Sequence, residues 1–345
     1  MIGFMERRDF LKSVGGLALF NLFEEGFCDN LLDNEIEKNV SISGAGDVTL
    51  GYWFPEMFEK IKREFGEDEA FRFPFAKVKK YFGESDISIV NLEGALTNYS
   101  RAVPKKFNFK GDPKYARCLV EGSIDIVNLA NNHLMDYYEK GALDTFNALD
   151  KQGVLYCGAG RNIDDAKELR VIRKEGVDVG FLGYAKVGRG YPAKGNSAGT
   201  NPFNRNSTFS EIKEAKDYCD VLVVSCHWGI ERDSFPTRED VNDGRKMVDS
   251  GADVIFGHHP HVIQGIEEYN KGLVCYSLGN FVFGGNSFPA DKDSMIVRAE
   301  MGKEGFRDYS VVPVITHPAS RVFQPYVPED SERILDKIEI RSRIR

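Results

Sequence analysis

The chain has 345 residues, 42% of them hydrophobic, which is enough apolar material for a sizeable core and too much for a disordered polymer. Its formal charge is −8, from 45 Lys and Arg against 53 Asp and Glu, so the basic stripe expected of a nucleic-acid surface is excluded. Cys28, Cys118, Cys157, Cys219, Cys226 and Cys275 form no CxxC pair and are expected as scattered buried thiols.

In chain order, residues 1–30 come first and read as an export signal or membrane-anchoring segment. In MERRDFLKSVGGLALFNLF, Arg7 and Arg8 precede a short apolar run from Val14 to Phe23. A basic region followed by such a run is a secretion signal, and it falls short of the roughly 20 apolar residues that span a bilayer. ERRDFLK is similar to the twin-arginine signal, with Glu6 where a serine or threonine is usual. An exported protein, periplasmic or associated with the outer side of the membrane, is the expectation. No small-residue cleavage site follows clearly.

From residue 40 to 320 one domain is expected, because no Pro/Gly-rich linker divides it. Short β-branched runs read as buried strands, each followed at once by polar residues. VSISGAG leads to Asp47, DISIV to Asn91 and Glu93, and SIDIVNLA to Asn131, Asn132, His133 and Asp136. DVLVVSC leads to His227 and Glu231, ADVIFG to His258, His259 and His261, and LVCYS to Asn280. Residues 137–151 and 238–250 have the apolar spacing of helices packed on a sheet. SMIVRAEM and YSVVPVIT read as strands closing the sheet, and the charged tail 321–345 as a solvated helix. The pattern is α/β, and ligands in such folds bind outside the carboxyl ends of the strands. Six polar clusters are therefore expected to converge there. They hold five of the six histidines; His317 stands apart and reads as structural.

Pro260 biases His259 toward extended backbone, and residues two apart on an extended run share a side. His259 and His261 are thus expected to face together, with His258 pointing away as a supporting or helix-packing residue. The expected ligand set is Asp47, Glu93, Asn132, His227, His259 and His261. Imidazole, carboxylate and amide donors without a thiolate suit Mn, Fe or Zn, as one or two divalent ions. Such ions supply Lewis acidity and activate water. His133 is then placed to protonate a leaving group, with Asp136 orienting its ring. Asn91, His258 and Asn280 are further site candidates. Cys226 is expected buried on the face opposite His227. Trp228 either stacks on a ligand or shields the site, and the basic loop KKFNFKGDP, with Lys105, Lys106 and Lys110, either meets an anionic polymer or is simply solvated.

Taken together, GAGDVTLG, NLEGALTN, NLANNHLMDY, SCHWGIE, GHHPHVIQG and YSLGNFVFG resemble the bacterial capsule-synthesis CapA family, the poly-gamma-glutamate synthesis proteins, over about residues 40–284. That resemblance implies the calcineurin-like metallophosphoesterase superfamily and its four-layer α/β-β/α sandwich. Asp47, Asn132, His133, His227, His259 and His261 match the superfamily's metal and catalytic positions, and Glu93 lies near that of its bridging aspartate. Thr49 stands where a histidine is usual, and NLEG replaces the usual bridging motif. An ion held by Asn132, His227 and His259 is therefore better supported than a second on Asp47, Glu93 and His261.

The expectation is an exported capsule (poly-gamma-glutamate) biosynthesis or export protein with a metal-dependent, phosphoesterase-like hydrolase site. Its partners would be an anionic polymer or phosphoester substrate and a membrane polymer synthase. The alternatives are a non-catalytic polymer-binding or scaffold partner of that synthase, and a phosphoesterase unrelated to capsule.

Overall fold

The computed structural model describes residues 39–187, 191–286, 289–317 and 319–344, and the signal-like segment with Arg7, Arg8 and Cys28 lies outside them. The described residues form one compact unit built on two large sheets. In the first, the order is Gly305–Ile315, Asp293–Gly302, Asn39–Thr49, Ile87–Leu92, Ile126–Asn128, Leu155–Cys157, and Asn280–Phe283 runs parallel to the end of Asn39–Thr49. The second runs Ile266–Tyr269, Gly272–Cys275, Val254–His258, Val221–His227, Val177–Ala185, Arg170–Lys174. The inner strands of each sheet are parallel, so their carboxyl ends emerge on one side. The strands read from β-branched runs in the sequence are all present, and the two read helices are Tyr138–Gln152 and Arg238–Asp249.

Three buried clusters define four layers. Ile42, Ile89, Val179, Val223 and Phe256 lie between the sheets. Phe54, Phe58, Leu119 and Phe146 pack helices on the outer face of the first sheet, and Ile212, Trp228, Met247 and Tyr276 do so on the second. This is the α/β-β/α sandwich expected. Helix ends are set locally. Thr237 caps Arg238–Asp249 by accepting from the Asp240 amide, and Gly153, at φ 70°, closes Tyr138–Gln152 in the left-handed region.

Strand alternation decides what reaches the gap between the sheets. Along Val221–His227, Val221 and Val223 face inward while Leu222, Val224 and Cys226 face the helices. The period of two carries His227 inward. By the same count Val254 and Phe256 lead to His258, Ile87 and Ile89 to Asn91 and Glu93, and Ile126 to Asn128. On the first strand the count would turn Asp47 outward. The register there slips between Ala45 and Asp47, a bulge that re-aims the side chain. Gly46 permits the close approach this needs, since a Cβ there would lie 1.9 Å from the Gly279 carbonyl oxygen.

The tail differs from the expectation. Glu332–Arg341 is a helix, but it is docked rather than solvated all round, with Ile334 and Ile338 buried in the inter-sheet cluster. Arg333 binds Asp293 through two 2.6 Å contacts, and the Ser342 hydroxyl accepts from the Ile266 amide at 2.9 Å. The charged composition hid a two-residue apolar stripe at i, i+4. Replacing Ile334, 1% exposed, with Ala is expected to cost about 2–5 kcal/mol in chemical denaturation. A loss within about 0.5 kcal/mol, as at an exposed site, would contradict docking.

Candidate metal centre

Glu93 is the focus of the site. Its Oε1 lies 3.8 Å from Nε2 of His133, of His227 and of His261 alike. Three contacts of that length are too long for hydrogen bonds, and both Glu93 carboxylate oxygens are buried without a donor. Neighbouring ligand atoms on an ion with bonds of about 2.1 Å sit roughly 3–3.5 Å apart, so the spacing leaves room for a cation. Thr49 donates its hydroxyl to the Glu93 carbonyl at 2.7 Å, and the Glu93 amide donates to the Val48 carbonyl at 2.8 Å. The first strand's end thereby fixes the backbone that carries the carboxylate.

Around Glu93 two donor groups form. Glu93, His227 and His259 bring ligand atoms within 4.8 Å of one another, and so do Asp47, Glu93 and His261. Glu93 belongs to both groups. Asn132 Oδ1 meets His227 Nε2 at 2.9 Å and so borders the first group. Asp47 borders His261 Nδ1 at 3.1 Å, although Oδ2 has no donor in hydrogen-bond geometry. Asn280 holds His261 through Oδ1, 3.0 Å from Nδ1. Asn91 is a strut: its Nδ2 donates to Asp47 Oδ1 at 2.9 Å and its Oδ1 accepts from Asn128 at 3.0 Å and Asn131 at 3.3 Å.

His258 does not point away. Its Nδ1 lies 3.4 Å from Asp47 Oδ1, inside the site. The expectation assumed an extended run, but the strand ends at His258, and His259 and His261 take φ of 96° and 58°. Backbone in that region reverses the period-two rule. Alternation through Val254 and Phe256 was the signal that would have placed His258 correctly.

His133 stands to one side. Its Nδ1 meets Asp136 Oδ2 at 2.7 Å, and its ring stacks on Phe109 at 4.1 Å, leaving Nε2 toward Glu93. Asp136 also accepts from the Phe109 amide at 2.7 Å and pairs with Lys105, whose Nζ donates to the Asn132 carbonyl at 2.9 Å. Lys105 therefore folds into the site, while Lys110 donates to the Tyr99 carbonyl and Lys106 covers Phe107. Glu231, omitted from the expected ligand set, forms a third group with His259 and His261 within 4.8 Å; its signal was its place on the loop four residues after His227. Trp228 takes neither expected role, being buried with its indole N–H on the Tyr276 carbonyl at 2.8 Å. Cys226 is buried on the opposite face from His227, and His317 is a buried structural residue bonded to the Asn286 carbonyl at 3.1 Å. Among the described residues all five cysteines are free.

Electrostatics agree with a site built for positive charge. Burial pushes the Glu93 carboxyl well above its ordinary range, and the neighbouring Asp47 adds to this. Burial also raises Asp47, but His258 and His261 outweigh it and hold that carboxyl well below the usual range. His261 is disfavoured as a cation by burial, yet Glu93 and Asp47 lift it to about 9. Burial, with His261 nearby, lowers His259 to about 4, and burial takes His227 well below its usual value. His133 is lowered by burial against the pull of Asp136. Unpartnered carboxylate oxygens on Glu93 and imidazoles kept neutral by burial at His227 and His259 fit a divalent cation.

Fold and site together define a four-layer α/β-β/α protein with a candidate divalent-cation centre at its strand ends. The chain belongs to the bacterial capsule synthesis protein PGA_cap family, whose model matches residues 41–285. It is 35% identical to the PGA biosynthesis protein CapA of Bacillus subtilis, across 81% of this chain and 73% of that one. It is 31% identical to the capsule biosynthesis protein CapA of Bacillus anthracis, across 88% and 78%. A Mycobacterium tuberculosis protein named a probable polyglutamine synthesis accessory protein is 25% identical across 57% of this chain and 56% of its own.

A cation on the Asp47, Glu93 and His261 group must displace the His261 proton at any pH below about 9, so affinity for that group is expected to rise with pH through that range. Calorimetric titration with Mn²⁺ or Zn²⁺ at neutral pH, in buffers of different ionisation enthalpy, should show about one proton released when the group holding His261 is filled. Binding with no proton release would contradict this charge balance.

Proposed function

We propose that the protein is a metal-dependent hydrolase of the metallophosphoesterase type that serves capsule polymer synthesis or export. The observation that carries this reading is the Glu93 carboxylate, buried without a donor and ringed by His133, His227 and His261. Glu93, Asp47, Asn132, His227, His259 and His261 would hold one or two divalent ions, which supply Lewis acidity and activate water when bound. The chain's own residues do the rest. Asp136 fixes the His133 ring through Nδ1 and leaves Nε2 facing the centre, so His133, once protonated at Nε2, is the group that would deliver that proton to the leaving atom and return to neutral. Lys105 secures the Asp136 carboxylate and the Asn132 backbone together, tying the proton donor to the donor set. The Phe109 ring covers one face of His133 and excludes water from it. The relatives named for PGA biosynthesis, capsule biosynthesis and an accessory role in polyglutamine synthesis support an anionic polymer as substrate and work beside a polymer synthase, which we place at the membrane; the phosphoester alternative rests on the donor set alone.

His133→Ala is expected to keep its metal while losing about 10²–10⁴-fold in hydrolysis. Wild type and variant would be compared on a generic phosphodiester and on a gamma-glutamyl peptide, with metal content measured in parallel. Equal rates on both substrates would leave a non-catalytic scaffold as the better reading.

The site would work outside the cytoplasm if the twin-arginine-like segment directs export. Among the described residues no helix is long and apolar enough to cross a membrane. Arg7→Lys with Arg8→Lys should retain the protein in the cytoplasm on cell fractionation. The same distribution as wild type would remove the twin-arginine reading.

A further inference from the structure

A cleft of about 680 Å³ borders the centre and is lined by His261, Asn280, Arg232 and Lys292 among others. Its charge balance is unlike that of the chain, whose formal charge is −8. Two carboxylates line it, Asp291 and Asp293, and both are occupied. Asp293 holds Arg333 at 2.6 Å and also pairs with Lys337, which lies 3.2 Å from Asp291. Arg232 and Lys292 remain, and neither has a carboxylate partner among the described residues. Two cationic side chains are thus left without a carboxylate partner in a concave wall that also carries the candidate metal ligand His261.

Arg232 is also held in place. Its φ is 65°, an unusual conformation for a residue with a side chain, and its amide donates to the Pro260 carbonyl at 2.8 Å, between His259 and His261. Gln264, itself buried, donates to the Asp233 carbonyl at 2.9 Å, and Arg341 donates to the Ser234 hydroxyl at 2.9 Å. Three fastenings thus fix the loop from residue 232 to 234, which carries an exposed guanidinium with no carboxylate partner among the described residues. Backbone kept in a sparsely populated region by its surroundings concentrates at functional sites. A guanidinium presents a planar fork that matches a carboxylate or a phosphate through two hydrogen bonds.

We infer that this cleft is an anion subsite in which Arg232, assisted by Lys292, grips an oxyanion of the substrate beside the reacting bond. The inference rests on the hydrolase reading for the word substrate, while the subsite itself rests on the cleft alone. Arg232 is the specificity-determining residue and Lys292 adds long-range attraction. The ligand chemistry is a carboxylate or phosphate group on a chain that extends out of the centre toward Lys292.

The test is calorimetric titration of the Mn²⁺-loaded full chain with two probes, a gamma-linked glutamate trimer and inorganic phosphate. Arg232→Ala is expected to weaken the preferred probe about tenfold or more, with metal content and melting temperature unchanged. Arg232→Lys should recover only part, because it keeps the charge and loses the fork. Lys106→Ala, whose ammonium covers Phe107 outside the cleft, should bind as wild type does. The preferred probe identifies the oxyanion. Equal affinity of wild type and Arg232→Ala for both probes, or no binding of either by wild type, would overturn the subsite. Arg232-dependent binding without turnover would sustain the subsite while the hydrolase reading fails. Turnover that is lost in His133→Ala but unchanged in Arg232→Ala would sustain the hydrolase and overturn the subsite.

Discussion

Two acidic side chains, Asp47 and Glu93, are carried fully into the gap between the sheets, and the way their charge is met governs everything around them. An unpaired buried carboxylate costs several kcal/mol even after relaxation. Asp47 is met by the Asn91 amide and by His258 and His261. Glu93 has no hydrogen-bond donor for either oxygen, and three imidazoles stand at the same distance from it. Burial drives the Glu93 carboxyl upward, while the negative charge that Glu93 and Asp47 carry raises His261 beside them. A divalent ion would meet both carboxylates with fixed positive charge among donors already in place. The struts make sense in this light. Asn91, Asn128 and Asn131 form a chain of amides with no free charge that sets the carboxylate and imidazole positions without competing for the ion.

The fold meets this constraint through the pleat of its strands. Parallel inner strands bring their carboxyl ends to one side, and alternation sends the last inward residue of each into the gap. Asp47 needs more, and the bulge after Ala45 together with Gly46 turns it inward. The docked C-terminal helix belongs to the same arrangement. It closes the far side of the inter-sheet core through Ile334 and Ile338, and it supplies Arg333 and Lys337 to the wall of the cleft beside His261.

Much of this was legible in the sequence because hydrophobic burial and the period of two are local signals. The β-branched runs before Asp47, Asn91, Asn132, His227 and His258 announced buried strands, and the polar residues after them announced a shared edge. Cys226 followed from the same alternation. What could not be read was set by contacts between distant segments. The direction of His258 was misjudged because positive φ at His259 and His261 ends the extended geometry that Pro260 suggested. Thr49 looked like the loss of a ligand, yet its hydroxyl anchors the Glu93 backbone across 44 residues of sequence. Lys105 was indistinguishable from a solvated loop lysine until Asp136 and the Asn132 carbonyl were placed beside it. The charge-rich tail concealed its two buried isoleucines for the same reason.

Membership of a capsule-synthesis family gives the centre a setting, and the geometry of Glu93 gives it a chemistry that stands or falls on one physical event. Anomalous diffraction at the metal absorption edge, from crystals of protein grown with Mn²⁺ or Zn²⁺, examines that event without reference to any substrate. A peak among Glu93, His227 and His259, with or without a second toward Asp47 and His261, is the result the account requires. Well-ordered crystals with no peak in that space, or with metal bound only on the outer surface, would contradict it.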